Sequence, residues 1–365
     1  MPLRVLVVDD TAIYRKVVSD ILRTIDGVEV VGTAVNGQFA LEKIAAVKPD
    51  LVTLDLEMPQ LNGVEVLKRL RAERNPAGVL MLSAFTSEGA AATTEALRLG
   101  AFDFVLKPVS ENLQSSADLL RQKLTERIAA FALSRNLTLN PTPRPVAESR
   151  PERPAVPASR IVAARTDEAP EIIVLGISTG GPEALNKVIP QLPANLAAPL
   201  LIVQHMPPMF TKSLADDLNK RSQLHVSEAV DGQLVRPGEC VIAPGGKQMK
   251  IERSELGPVV QITDDPPENS CRPAVDYLFR SAAHHYGSRT VGIVMTGMGS
   301  DGTLGCRLLK RKGALVLAQD KETCVVFGMP STVIAEGLAD RIVPLPEMAG
   351  AIVSAVAGTG AVPCR

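Results

Sequence analysis

The sequence predicts an α/β protein built as two doubly wound parallel-sheet domains joined by a flexible linker. Three observations point there. Short β-branched runs alternate with segments of helical length over residues 1–110 and again from residue 171 onward, which is the pattern of parallel strands connected by crossover helices. Between the two patterns, residues 138–170 hold seven of the chain's 28 prolines and no aromatic residue. A length of 365 residues suits two or three domains, each with its own core.

In the first half the predicted strands are RVLVVDD (4–10), VEVVGTA (28–34), DLVTLDL (50–56), GVLMLSA (78–84) and FDFVLKP (102–108). Each is short and bounded by turn residues, and helical-length segments such as Thr11–Thr24 and Gly37–Val47 lie between them. Residues 111–135 predict one helix, because Leu113, Leu120, Leu124, Ile128 and Phe131 recur at helical intervals. The proline-rich stretch that follows should be a solvated, partly extended linker. A basic nucleic-acid-binding tail is the competing reading, but Glu148, Glu152, Asp167 and Glu168 nearly balance its five arginines.

The second half predicts strands at EIIVLGIS (171–178), APLLIVQHM (198–206), ECVIAP (239–244), TVGIVMTG (290–297), ALVLAQD (314–320) and DRIVPL (340–345). VVQIT (259–263) would form a hairpin with the segment near residue 250. No internal repeat relates the halves. The expected division is 1–125 for the first domain, 126–170 for a helix extension and linker, and 171–356 for the second domain.

Composition narrows the function classes. Hydrophobic residues make up 45% and charged residues 22%, and the net charge of −1 favours neither nucleic acid nor a membrane surface. Aromatic residues are only 3% and tryptophan is absent, so the cores must be aliphatic. Five cysteines, an odd number without a CxxC pair, argue against a disulfide framework and against a zinc site. The N-terminus does not read as a signal peptide and no apolar run is long enough to span a bilayer. A monomer without membrane insertion, in a reducing cytoplasm, is the expectation.

Two constellations carry chemistry. Asp9 and Asp10 close the first strand, Asp55 the third and Ser83 the fourth, and Lys107 follows the fifth. A parallel sheet projects all of them at one edge, where ligand sites form. Three carboxylates there repel one another unless a divalent cation is present, and Mg²⁺ suits hard oxygen ligands. A carboxylate beside Mg²⁺ and a lysine can attack a phosphoryl donor, and Ser83 could then hydrogen-bond the acyl phosphate. Any one of these residues alone is better read as a turn acid or a solvated lysine; the ordered set at four strand ends is far more specific. VVDD (7–10), TLDLEMPQLNG (53–63), LSA (82–84) and LKP (106–108) resemble the receiver domain of bacterial response regulators over about residues 3–125. The resemblance implies a flavodoxin-like sheet, with Asp55 as phosphoacceptor and a histidine kinase as phosphodonor. It also implies Mg²⁺ held by Asp9, Asp10, Asp55 and the backbone of Glu57, with Phe104 as a switching aromatic.

The second constellation starts at GISTG (176–180), which fits G-x-S-x-G between an apolar strand and a helix starting near Pro182. Such a turn exposes a serine hydroxyl, although alone it could equally bind a phosphate at the helix N-terminus. Among the four histidines, His205 ends a strongly apolar strand, where one histidine by itself reads as a hydrogen-bonded core residue. Asp301 follows another strand in MTGMGSDG (295–302), and its bland reading is a turn or helix-capping acid. Ser178, His205 and Asp301 all follow strands of one predicted sheet, where a serine-hydrolase triad can be assembled. The chain order Ser–His–Asp differs from the Ser–Asp–His order of α/β-hydrolases.

Residues 171–356 resemble the catalytic domain of chemotaxis protein-glutamate methylesterases. GISTGGPEAL (176–185), IVQHMP (202–207), IAPGGKQM (242–249), RPAVDYLF (272–279), VMTGMGSDG (294–302) and CVVFGMP (324–330) carry the resemblance. It implies a Rossmann-like sheet, methyl-accepting chemoreceptors as substrates and glutamine deamidation as a second activity. No cofactor is implied for ester hydrolysis. It points to backbone N–H groups, Met298 among them, as the oxyanion site, with Thr179, Gly180 and Gly181 shaping the cleft. Cys271 has no role derivable from sequence. Two rival readings are a receiver-controlled DNA-binding regulator, which lacks the basic helix-turn-helix it needs, and a catalytically silent receptor-binding adaptor.

Overall fold

The structure is a computed structural model that describes residues 2–108, 113–135, 137 and 169–357. The expected linker lies almost wholly outside the described residues. The first domain comprises β1 (Leu3–Val8), α1 (Ala12–Arg23), β2 (Val28–Ala34), α2 (Gly37–Val47), β3 (Leu51–Asp55), α3 (Gly63–Ala72), β4 (Gly78–Ser83), α4 (Ser87–Arg98), β5 (Asp103–Leu106) and α5 (Leu113–Ser134). The strands form one parallel sheet in the order β2-β1-β3-β4-β5. Every residue of β3 and β4 is buried, as expected where helices cover both sheet faces.

Local sequence sets the helix starts. Asn62 and Glu65 form a reciprocal capping box at α3, Asn36 accepts from the Phe39 N–H at α2, and Thr86 accepts from the Gly89 N–H at α4. Helix α5 falls inside the predicted 111–135 segment and buries Leu120, Leu124, Ile128 and Phe131. Phe131 seats it: its ring fills the space over Gly78, where an added Cβ would lie 2.2 Å from the ring.

The second domain runs β6 (Ile172–Ile177), α6 (Gly181–Val188), β7 (Leu200–Gln204), α7 (Phe210–Asn219), β8 (His225–Glu228), β9 (Glu239–Ile242), β10 (Gln248–Ser254), β11 (Gly257–Thr263), α8 (Val275–His285), β12 (Thr290–Val294), α9 (Thr303–Arg311), β13 (Leu315–Gln319), α10 (Met329–Ala335), β14 (Arg341–Val343) and α11 (Met348–Val356). Seven parallel strands follow the order β14-β13-β12-β6-β7-β9-β8. The predicted hairpin is present as antiparallel β10–β11, and it packs on α8. Strand β8 was not expected. As an edge strand with Val226 as its one fully buried residue, it carries almost no hydrophobic signal.

The two domains pack directly. Helix α4 lies against α6 and α7, and the Phe104 and Phe210 rings stack with centroids 4.8 Å apart. A single buried cluster runs through both rings from one domain into the other.

Candidate active site and phosphoacceptor site

The serine turn is shaped by steric demand. Between β6 and α6 the chain reverses through Gly180, which sits at φ 78°, a region that disfavours residues with a Cβ. An added Cβ at Gly180 would lie 2.5 Å from Val325, and one at Gly181 would lie 1.9 Å from Gln204 Oε1. Gln204 Nε2 donates to the Ser178 carbonyl at 3.0 Å, and Thr296 Oγ1 donates to the Thr179 carbonyl at 2.9 Å. The turn is therefore held from two neighbouring strand ends. Ser178 Oγ and the N–H groups of Thr179 and Met298 make no hydrogen bond among the described residues. They are free to meet a ligand.

His205 follows β7, level with Ser178 across the β6–β7 pairing. Its Nε2 contacts Asp301 Oδ2 at 2.8 Å. Asp301 in turn accepts from the Val275 N–H at 2.7 Å and, on Oδ1, from the N–H groups of Asp276 and Gly302 and from Asn269 Nδ2, each at 3.0 Å. Asp301 thus caps the first N–H groups of α8 and is the partner of His205. Burial works to raise the Asp301 carboxyl, but the His205 contact and the α8 N–H groups outweigh it and keep the pKa below its ordinary value. Burial likewise opposes charge on His205. The contacts with Asp301 and Cys271 outweigh it and raise the imidazole from 6.5 to about 9. Ser178 and His205 are not hydrogen-bonded to each other; the nitrogen left for a nucleophile is Nδ1, because Asp301 holds Nε2.

Nδ1 faces Cys271 Sγ at 3.6 Å. Cys271 arrives on a tight turn in which Glu268 and Cys271 exchange backbone hydrogen bonds. Asn269 and Ser270, at φ 50° and 61°, form its corner. Arg280 anchors Glu268. The same turn delivers Asn269 to Asp301 and Cys271 to His205. Neither contact was legible in the sequence, where the turn is separated from both partners.

At the first domain's sheet edge, ligand oxygens of Asp9, Asp10 and Asp55 lie within 4.8 Å of one another. Lys107 Nζ is 2.8 Å from Asp9 Oδ2 and 2.7 Å from Asp55 Oδ2. Burial of Asp55 is the main influence on its carboxyl and, with the Asp9 charge, moves it from 3.8 up to about 6, although Lys107 and the Glu57 N–H pull the other way. Burial also opposes the Lys107 charge, but the two aspartates outweigh it and hold the ammonium above its ordinary value. One lysine therefore leaves the carboxylates under-compensated, and the all-oxygen donor set fits a hard divalent ion such as Mg²⁺. Ser83, expected to hydrogen-bond the acyl phosphate, is engaged elsewhere in the unphosphorylated receiver. Its hydroxyl accepts from Thr93 Oγ1 of α4 at 2.8 Å and donates to the Ala84 carbonyl at 3.2 Å.

The neighbouring residue on α4, Thr94, donates to Ser213 Oγ of α7 at 2.9 Å. At the end of the interface nearest Ser178, Thr179 Oγ1 donates to Asp103 Oδ2 at 3.0 Å. Asp103 is buried and also pairs with Arg127 at 3.1 Å. Phe104, expected as a switching aromatic, is occupied by its stack on Phe210.

Residues 173–352 match the CheB methylesterase family and residues 5–117 match the response regulator receiver domain family. A protein-glutamate methylesterase/protein-glutamine glutaminase of Desulfotalea psychrophila is 50% identical over 361 residues, covering 97% of this chain and 98% of its own. A protein of the same name from Thermotoga maritima is 44% identical over 352 residues, covering 94% of this chain and 97% of its own. The crystal structure of the Thermotoga maritima CheB methylesterase catalytic domain covers 51% of this chain and 99% of that domain, at 45% identity and a TM-score of 0.50.

Proposed function

The chain belongs to the CheB methylesterase family, with a response regulator receiver domain ahead of the methylesterase domain, and we propose that it hydrolyses glutamyl methyl esters on methyl-accepting chemoreceptors under the control of phosphorylation. Deamidation of glutamines on the same receptors is the second activity. The observation that carries this reading is the contact of 2.8 Å between His205 and a four-fold hydrogen-bonded Asp301, one strand from the Ser178 turn.

In this reading Ser178 Oγ attacks the ester carbonyl and its proton passes to His205. Asp301 fixes the imidazole orientation and stabilises the imidazolium that forms. The N–H groups of Met298 and Thr179 receive the oxyanion; losing one such donor costs about 10²–10³ in kcat in other hydrolases. The tetrahedral species collapses, His205 protonates the leaving methoxide, and methanol departs. Water then adds to the glutamyl-serine ester by the same route in reverse roles, returning Ser178 and a free glutamate. With glutamine the leaving group is ammonia. Gly180 and Gly181 keep the turn tight enough for the hydroxyl to face the cleft.

The receiver, bounded at 1–125, would accept phosphate on Asp55 from a chemotaxis histidine kinase. Mg²⁺ held by Asp9, Asp10, Asp55 and the Glu57 backbone would offset charge on the phosphoryl oxygens, with Lys107 beside it. Unphosphorylated, the receiver restrains the catalytic domain (171–356): Asp103 holds Thr179, next to the nucleophile, and α4 lies against α7. Drawing Ser83 toward a phosphorylated Asp55 would break its bond to Thr93 and disturb α4, the helix that carries Thr94 to Ser213. A cytoplasmic location fits this partnership, and no helix among the described residues is long and apolar enough to cross a membrane. Methanol release from methyl-labelled receptors tests the activity: it should require Ser178 and increase on phosphorylation. Hydrolysis that is indifferent to Ser178 would overturn the assignment.

A further inference from the structure

Cysteine spacing argues against a zinc site, yet the fold brings a thiol to the free nitrogen of His205. His205, Cys271 and Asp301 offer ligand atoms within 4.8 Å of one another. This cluster lies apart from the carboxylate site of the receiver and contains a soft donor, the Cys271 thiol, that the ester hydrolysis does not use. We propose that His205 Nδ1 and Cys271 Sγ form a binding site for a soft divalent ion of the zinc class, and that its occupation switches the esterase off. The inhibitory part of this proposal rests on the reading of His205 as general base.

The distances favour a chelate. Zinc binds thiolate sulfur at about 2.3 Å and imidazole nitrogen at about 2.0–2.1 Å, so a tetrahedral angle between them places the two donors about 3.6 Å apart. Cys271 Sγ and His205 Nδ1 are 3.6 Å apart. The separation of the two donors therefore matches that of a shared ion. Asp301 on Nε2 supplies the second requirement, since a metal-bound histidine commonly donates its other N–H to a carboxylate that fixes the ring. Val275, Asp276, Gly302 and Asn269 hold that carboxylate in place, and the backbone exchange with Glu268 holds Cys271. Both ligands are partly exposed, which leaves an entry path, and water would complete the coordination.

Binding displaces the thiol proton and any proton on Nδ1, so it strengthens as pH rises. Once the ion occupies Nδ1, that nitrogen can no longer take a proton from Ser178. Hard ions such as Mg²⁺ and Ca²⁺ prefer oxygen ligands and should not compete for this site.

The test uses the full-length chain in excess Mg²⁺, with Co²⁺ as a spectroscopic substitute for Zn²⁺ and Zn²⁺ itself for inhibition. Co²⁺ should give a thiolate-to-metal charge-transfer band that Cys271→Ala and Cys271→Ser both abolish, with thermal melting confirming that each variant is folded. Zn²⁺ should inhibit methanol release, chelator should reverse it, and either substitution should raise the inhibitory concentration at least about tenfold relative to its own metal-free rate. A band or an inhibitory concentration unchanged in both variants overturns the proposal, and so does Cys271-dependent binding without inhibition in an enzyme that requires His205. If hydrolysis proves independent of Ser178 and His205 while the Cys271-dependent band persists, the metal site stands and the catalytic reading fails. The two ideas therefore fail separately.

Discussion

Asp103→Ala should release the unphosphorylated enzyme from its receiver. The substitution removes the buried acceptor of the Thr179 hydroxyl beside Ser178. A hydrogen bond to a charged group contributes about 1.5–3 kcal/mol, which changes the closed-to-open ratio by roughly 10- to 100-fold. From a ratio of about 99:1, the open fraction would rise from about 1% to about 10–50%, and the basal rate of methanol release should rise in proportion. The assay compares unphosphorylated wild type and variant on the same methylated receptor. Asp103 also pairs with Arg127, so Arg127→Ala serves as the control for a loosened receiver and should raise the rate far less. Asp103→Asn keeps an acceptor without the charge and should fall between. An Asp103→Ala enzyme that still accepts phosphate on Asp55 but has an unchanged basal rate would refute the restraint.

Ser178→Ala should abolish methanol release without altering the fold, and His205→Ala should lose a similar amount because triad members act as a unit; retention of more than about a tenth of the rate in Ser178→Ala would contradict the assignment. Phosphate incorporation from a small acyl phosphate should need Mg²⁺ and vanish in Asp55→Asn, and unchanged labelling would identify another acceptor. His205 must be neutral to act as base, and its pKa is raised from 6.5 to about 9, so kcat/KM should keep climbing through neutral pH and level off only above about pH 9; a plateau already reached near pH 7 would refute the raised value. The sign for stability is opposite: the contribution of charged His205 is full below pH 6.5 and is lost as pH rises through about 9. Deleting residues 1–135 should raise basal activity above that of the unphosphorylated full chain, and an equal or lower rate would mean that the receiver activates or targets the enzyme.

Much of the candidate chemistry could be read before any coordinates, for one physical reason. In a parallel sheet the carboxyl ends of all strands lie at one edge, so residues that each follow an apolar run converge however far apart they are in the chain. Asp9, Asp55 and Lys107 were found that way, and so were Ser178, His205 and Asp301. Short continuous apolar runs marked the central strands, which are buried on both faces, and that signal missed β8 because an edge strand can stay polar.

The tertiary structure decided everything that depends on loops and on the meeting of two domains. Periodicity says nothing about a turn such as Glu268–Cys271, and only the fold sets its Asn269 against Asp301 and its Cys271 against His205. Asp103 read as an ordinary strand residue until the receiver was placed on the catalytic domain and Thr179 became its partner. Ser83 shows the remaining gap: the sequence located its hydroxyl at the right strand end, but whether that hydroxyl turns to Asp55 or to Thr93 is a rotamer choice. That choice depends on what packs against α4, and α4 is packed by residues more than a hundred positions away.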